Sequence, residues 1–410
     1  MPSRYFRNPY LDSWKNDSGK VTKEWLENEA DSLFTKILNC KECDYDDIDA
    51  YTGLSGLCYG LLKATTLLHQ KERDAFDFYV KKLESLLQDE VKKKLSGSTA
   101  RRQSRFLLGT LGAFVIGILC EYKRSNTLNE EYFNRVKDIS NVVLQDVFQG
   151  HGEDEMLVGR AGYIAAVLML RHELGEKVNC NFLIPVLKKI LDSGRKYAQR
   201  NCSLTPLMYQ YHGKEYVGAA HGLMGILQML ISCYEMLDDL EKKDVKETLD
   251  WIISIQFENG NFPTNAAHLK QRHEDDELIQ WCHGAGGAVF LFIVAYLKIG
   301  EEKYLKAAEA AAGILWEKGV LYKGPGICHG VAGNGYAFLM LYRLTQQERF
   351  LHYARCFALI FCSSNFKRNA RTPDSPLSLY EGIAGSLCYL CDLAEPINAQ
   401  FPLIPIKFGS

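Results

Sequence analysis

With 410 residues, 47% of them hydrophobic, the chain has material for a large buried core, and length alone suggests two or three domains. Its 48 basic residues against 50 acidic ones exclude the one-signed field that draws a protein to nucleic acid or an anionic membrane, so any anion must be bound locally. Thirteen cysteines, an odd number without framework spacing, fit a reducing cytoplasm.

The opening Met1-Pro-Ser-Arg-Tyr-Phe-Arg7 has no apolar core for a secretory signal, and Pro2 stands where N-myristoylation needs glycine. A soluble, cytoplasmic protein with at most peripheral membrane contact is expected. An extended arm and one amphipathic helix, Lys23 to Leu38, fill the segment to Asn39. From there one device recurs seven times. It is a Gly-x-x-Gly followed by about three turns of apolar residues, and its copies start at Gly53, Gly109, Gly159, Gly222, Gly284, Gly330 and Gly382. The intervals of 46 to 63 residues hold two helices and two loops.

The periodicity predicts nearly all-apolar helices over Leu57–Leu68, Ala113–Cys120, Tyr163–Leu170, Ala288–Leu297 and Tyr336–Leu344, which belong inside. It predicts charged, amphipathic helices over Arg73–Leu95, Glu130–Val147, Asp244–Phe257 and Glu302–Trp316, which belong outside. The most apolar window, Val217 to Met236, is broken by His221, Gln228 and glycines and reads as a buried helix rather than a membrane span. Strand signals are sparse. The fold expected is all-α: a seven-fold, two-layer α/α toroid, a double helical barrel forming a single domain over 1–410. Glycines three apart would let neighbouring inner helices approach, crowding their N-termini at one mouth, where free N–H groups favour anions and thiolates. Two polar loops, Asn259–Gln280 and Ser363–Leu379, should rim that mouth; Pro373-Asp-Ser-Pro376 has the spacing of an SH3 ligand, although a tight loop is the stronger reading.

Chemistry concentrates at two strings in phase with the repeat, Trp281-Cys282-His283-Gly284 and Cys328-His329-Gly330. Zinc is held by Cys and His side chains converging from separate segments, so the pair suggests one metal between two repeats. From the residues alone, a closed Cys2His2 site including His283 and a metal-free pair of core Cys-His steps remain alternatives. His221, before the fourth motif, has the titration range for general acid–base work, or it caps a helix. Arg160, inside the third motif, is a weak candidate anion contact, and Cys120, Cys233 and Cys356 lie in apolar runs as core residues.

These motifs, with Ala219-Ala-His-Gly222 and Glu381-Gly-Ile-Ala-Gly385, resemble the LanC-like proteins, eukaryotic relatives of bacterial lanthionine cyclases. The resemblance runs from Arg4-x-Phe-x-Asn-Pro-Tyr10 to Arg371-Thr-Pro-Asp374. It implies one zinc on Cys282, Cys328 and His329. It also implies glutathione as thiol ligand near Lys323, Arg371, Thr372, Pro373, Asp374 and Glu381, with His221 and Arg4 serving proton transfer and phosphate. The activity implied is addition of glutathione to dehydroalanine or dehydrobutyrine in proteins, formed by phosphate elimination from phosphorylated Ser or Thr. Phosphorylated or dehydroamino-acid-containing proteins and peptides would be the partners. A glutathione-binding adaptor or redox sensor is the alternative. A toroid glycosidase or prenyltransferase would need carboxylates where these loops carry Cys, His and Arg, and nothing marks the dedicated peptide partner of a lantibiotic cyclase.

Overall fold

The computed structural model describes residues 4–12, 18–39, 47–68, 70–145, 152–269 and 278–408. Among them are sixteen α-helices and only isolated β-bridges. In chain order the helices are α1 (Lys23–Asn39), α2 (Leu54–Ala64), α3 (Gln70–Lys92), α4 (Gly97–Gln103), α5 (Thr110–Ser125), α6 (Glu130–Val143), α7 (Arg160–Leu174) and α8 (Ile184–Arg200). They continue as α9 (Leu223–Ser232), α10 (Asp239–Ser254), α11 (Ala285–Ile299), α12 (Glu302–Lys318), α13 (Val331–Thr345), α14 (Glu348–Cys362), α15 (Ser364–Asn369) and α16 (Ile383–Ala394). The loop read over Ser363–Leu379 thus opens with a short helix, α15, because the Ser363 hydroxyl accepts the Phe366 N–H as an N-cap. Of the loop read over Asn259–Gln280, residues 270–277 lie outside the described residues. No helix of the described residues is long and apolar enough to cross a membrane, and the window around His221 holds the ten-residue, buried α9.

The chain forms two compact units. One comprises Met1–Lys93, Gly112–Tyr132 and Leu315–Pro402; the other comprises Lys94–Leu111, Phe133–Ile314 and Leu403–Ser410. In the first, α16 packs on α2 and α13, and α13 on α14. Among the described residues no long helix follows α16, and α16 packs on α1, which lays Leu26, Ala30, Leu33, Phe34 and Ile37 inward. The amphipathic N-terminal helix therefore completes the last hairpin. A buried polar tie links three inner helices of this unit: Asp392 on α16 accepts from Lys63 on α2 and from Tyr336 on α13, both at 2.7 Å. In the second unit α9 packs between α7 and α11, with α8 and α10 outside. Cys120, Cys233 and Cys356 are buried core residues, and burial pushes the Cys233 thiol up to about 12.

The inner helices start earlier than their apolar runs suggest, because in six of the seven motifs the first glycine is the N-cap: Gly53, Gly159, Gly222, Gly284, Gly330 and Gly382. The residue after it donates its N–H to a carbonyl seven residues upstream in five motifs: Leu54 to Asp47, Arg160 to Glu153, Leu223 to Tyr216, Val331 to Gly324 and Ile383 to Pro376. The lead-in loop thereby folds back over its own helix. A Cβ on the second glycine would lie 1.9 Å from Ile327 O at Gly333 and 2.0 Å from Ala219 O at Gly225. The glycines thus make room first for their own loop, and only then for a neighbour, as at Gly287, where a Cβ would lie 2.6 Å from Ala219 Cβ. The expectation of free helix N-terminal amides is corrected accordingly. In the sixth motif Val331, Ala332 and Gly333 donate to Gly324, Pro325 and Gly326, so anion recognition falls to side chains.

A candidate metal centre and the groups around it

Cys282 lies in the loop entering α11 and is buried, with Gln280 Nε2 donating to its Sγ at 3.2 Å. This loop departs from the others. Gly284 has φ +88, and a Cβ there would meet Leu278 O at 2.0 Å. In place of the direct amide-to-carbonyl bond, the buried Asn261 side chain is spliced in: its Oδ1 accepts from Ala285 N at 2.8 Å and its Nδ2 donates to Leu278 O at 3.3 Å. Asn261, unremarkable in the sequence, therefore sets the shape of the Cys282-His283 turn. The Cys282 carbonyl accepts from Ala220 N at 3.3 Å, which ties the turn to the residue before His221.

Cys328 is buried, His329 half-buried, and Cys328 N donates to Tyr380 O at 2.8 Å. Upstream, three remote segments run side by side through their backbones: Tyr322 N donates to Arg4 O at 3.1 Å, and Arg371 N to Tyr322 O at 2.8 Å. Gly324, with φ +115, sits against Arg371 O and Pro373, while Gly326 sits against Glu381 O. The fold thus gathers Arg4, Lys323, Arg371, Thr372, Pro373, Asp374 and Glu381 into one strip leading to Cys328. Arg4, Lys323 and Arg371 are exposed, and Arg371 Nη2 reaches Asp374 Oδ1 at 2.7 Å. Pro376 O receives the Ile383 N–H, so the Pro-x-x-Pro stretch is a tight loop into α16.

One ligand atom each from Cys282, Cys328 and His329 lies within 4.8 Å of the other two. Two sulfurs and an imidazole nitrogen so placed suit a tetrahedral, thiophilic ion of zinc size, with bonds of about 2.0–2.3 Å. His283 is not a member of this group. Its ring instead faces Tyr216, centroids 5.5 Å apart, and His221, 6.1 Å apart.

His221 Nδ1 lies 2.9 Å from Oε2 of the buried Glu155, whose Oε1 accepts the Val158 N–H. A carboxylate at Nδ1 favours the proton there and leaves Nε2 as the basic nitrogen. Glu155 went unnoticed in the sequence, although its place four residues before Gly159 was a usable signal. Tyr211 stacks on the imidazole, and burial followed by the Glu155 charge raises its phenol above the ordinary range.

Arg160 is not an anion contact. It is fully buried, Nη1 pairs with Asp154 Oδ1 at 2.7 Å, Nε donates to Val143 O at 2.6 Å, and Ser193 holds the other Asp154 oxygen at 2.6 Å. A guanidinium enclosed by carboxylate and carbonyls holds α7 to the segments around it. Removing one partner strands the other charge, so Arg160→Met is expected to cost about 3–5 kcal/mol. Urea denaturation checks this, and the Arg160→Met/Asp154→Leu double variant should recover much of the loss.

Residues 44–406 match the lanthionine synthetase C-like protein family. A protein of Danio rerio named glutathione S-transferase LANCL1 is 32% identical over 422 residues, covering 98% of this chain and 99% of its own. Nisin cyclase, at 18% identity, superimposes with a TM-score of 0.66 over 92% of this chain and 95% of its own, which bears out the α/α toroid.

Proposed function

The chain belongs to the lanthionine synthetase C-like family, and from that premise we propose that it forms carbon–sulfur bonds, adding the glutathione thiol to dehydroalanine or dehydrobutyrine in proteins. Phosphate elimination from phosphoserine or phosphothreonine is the coupled first step. The observation that carries the reading is the three-donor group of Cys282, Cys328 and His329, the ligand number of catalytic rather than structural zinc. Zinc held there would keep a thiol deprotonated near neutral pH, where a free thiol of pKa about 8.5 is mostly protonated.

The protein's own groups supply the rest. His221, neutral and with Nδ1 held by Glu155, takes the α-proton at Nε2 while the β-carbon–oxygen bond breaks and phosphate departs with the electron pair. The glutathione thiolate then attacks the β-carbon, and the resulting enolate recovers a proton at the α-carbon from the His221 imidazolium. Arg4 and Lys323 answer the charge of the leaving phosphate, while Arg371, Asp374 and Glu381 answer the charged ends of glutathione. Because Arg371 is exposed, Arg371→Ala should raise KM for glutathione roughly 5- to 10-fold with little change in kcat, an effect that shrinks in high salt. Initial rates at two ionic strengths check it.

The test is to mix the purified protein with glutathione and a phosphoserine peptide and follow mass. Loss of phosphate with gain of one glutathione is expected. Glutathione binding without any change in peptide mass, for both phosphopeptide and a dehydroalanine peptide, would leave an adaptor or sensor in place of an enzyme.

A further inference from the structure

The second unit contains a short hairpin whose purpose the fold alone does not explain. Tyr211 N donates to Lys214 O at 2.9 Å and Lys214 N to Tyr211 O at 3.1 Å, closing a two-residue turn over His212 and Gly213. Both central residues have positive φ, +47 and +74, the turn that matches the twist of paired strands, with glycine in the second place. What the turn presents is the Tyr211 ring. It lies parallel to the His221 imidazole, centroids 4.3 Å apart and planes at 7°, while the His212 ring meets the edge of Tyr211 at 4.4 Å and 87°. Room for it is left by Gly152, φ +97, where a Cβ would strike Tyr211 Cδ2 and Cε2 at 2.8 Å. Glycine at 152, a left-handed turn at 212–213 and a flanking ring converge on one aromatic plane.

We propose that Tyr211 is a positioning residue: its ring clamps the face of His221, so that the imidazole pivots neither out of the Glu155 bond nor away from the substrate. The inference rests on the functional reading above and deepens it. The imidazole has one edge at Glu155, one face on Tyr211, and the Tyr216 and His283 rings at centroid distances of 6.0 and 6.1 Å. Glu155 fixes which nitrogen carries the proton, but a single hydrogen bond leaves the ring free to rotate about it. A parallel ring in contact removes that rotation. The contribution required is aromatic area, and the phenol oxygen takes no part in proton transfer.

The experiment compares Tyr211→Phe and Tyr211→Leu with the wild type, using glutathione and a dehydroalanine peptide, with circular dichroism and bound metal as checks on folding. Tyr211→Leu should lower kcat roughly 10- to 100-fold with KM for glutathione within about twofold, because a misplaced base costs the chemical step. Tyr211→Phe should keep wild-type rates. If Phe is as slow as Leu, the hydroxyl acts and the clamp is wrong; if Leu is as fast as wild type, the ring has no role. Nitrogen-15 shifts of His221 give a readout independent of turnover. A single Nδ1–H tautomer is expected in wild type and Tyr211→Phe, and a mixture in Tyr211→Leu. Should the wild type be inactive, the functional reading fails while this measurement still decides the clamp, which falls if Tyr211→Leu keeps the wild-type signature.

Discussion

Cys328→Ala is expected to abolish both metal binding and thioether formation. Cys328 is buried on the loop into α13, its amide bonded to Tyr380 O, and its Sγ belongs to the three-atom group with Cys282 and His329. Taking one donor of three leaves one thiolate and one imidazole, a pair that cannot hold zinc against dilution. Loss of a group that merely supports a ligand costs roughly 10- to 100-fold, and loss of a ligand should cost more. Elemental analysis should find one zinc per wild-type chain and almost none in the variant, and the rate of glutathione addition should fall to background. Alanine at 328 removes a small buried side chain without straining the Gly-x-x-Gly loop, so the fold should persist by circular dichroism. A variant that keeps both zinc and rate would remove Cys328 from the site. Cys120, buried in the core with its thiol raised well above the ordinary range by burial, gives the matched control: Cys120→Ala should leave metal content unchanged.

His221→Ala should separate chemistry from binding. The imidazole is hydrogen-bonded to Glu155 and stacked on Tyr211, and it is only partly enclosed, so its removal leaves a small opening in the surface of the site. General acid–base catalysis contributes about 10²- to 10⁴-fold, and that is the loss expected in kcat for phosphate elimination. Addition of glutathione to a preformed dehydroalanine peptide should fall less, since solvent can protonate an enolate. Zinc content and glutathione affinity should stay at wild-type levels, measured by elemental analysis and calorimetry. Equal rates in wild type and variant on the phosphopeptide would remove His221 from the mechanism. Glu155→Gln should fall between the two, because its amide oxygen can still accept from Nδ1 while the carboxylate that orients the ring is lost.

Much of this was legible before any coordinates. A Gly-x-x-Gly ahead of an apolar run is a local signal, set by the close approach of a loop to its own helix, so all seven inner helices could be found from it. The Cys-His strings were legible for the same reason, as each is a contiguous motif with its own chemistry. Contacts between remote segments were less visible. Asn261 looks like any loop asparagine until its amide is seen spliced between Ala285 and Leu278, and Arg160 sits inside a motif yet faces Asp154 rather than the rim.

The sequence by itself determined the repeat, the helix classes and the residues carrying sulfur and imidazole, because periodicity and motif spacing are properties of short stretches of chain. The tertiary structure decided that α1 closes the last hairpin against α16, that the first amides of the inner helices are consumed by their own loops, and that His221 is held by Glu155 and Tyr211. Each of those depends on which surfaces and polar groups meet once the helices pack, and a buried amide or carboxylate must find its partner there whatever the distance along the chain.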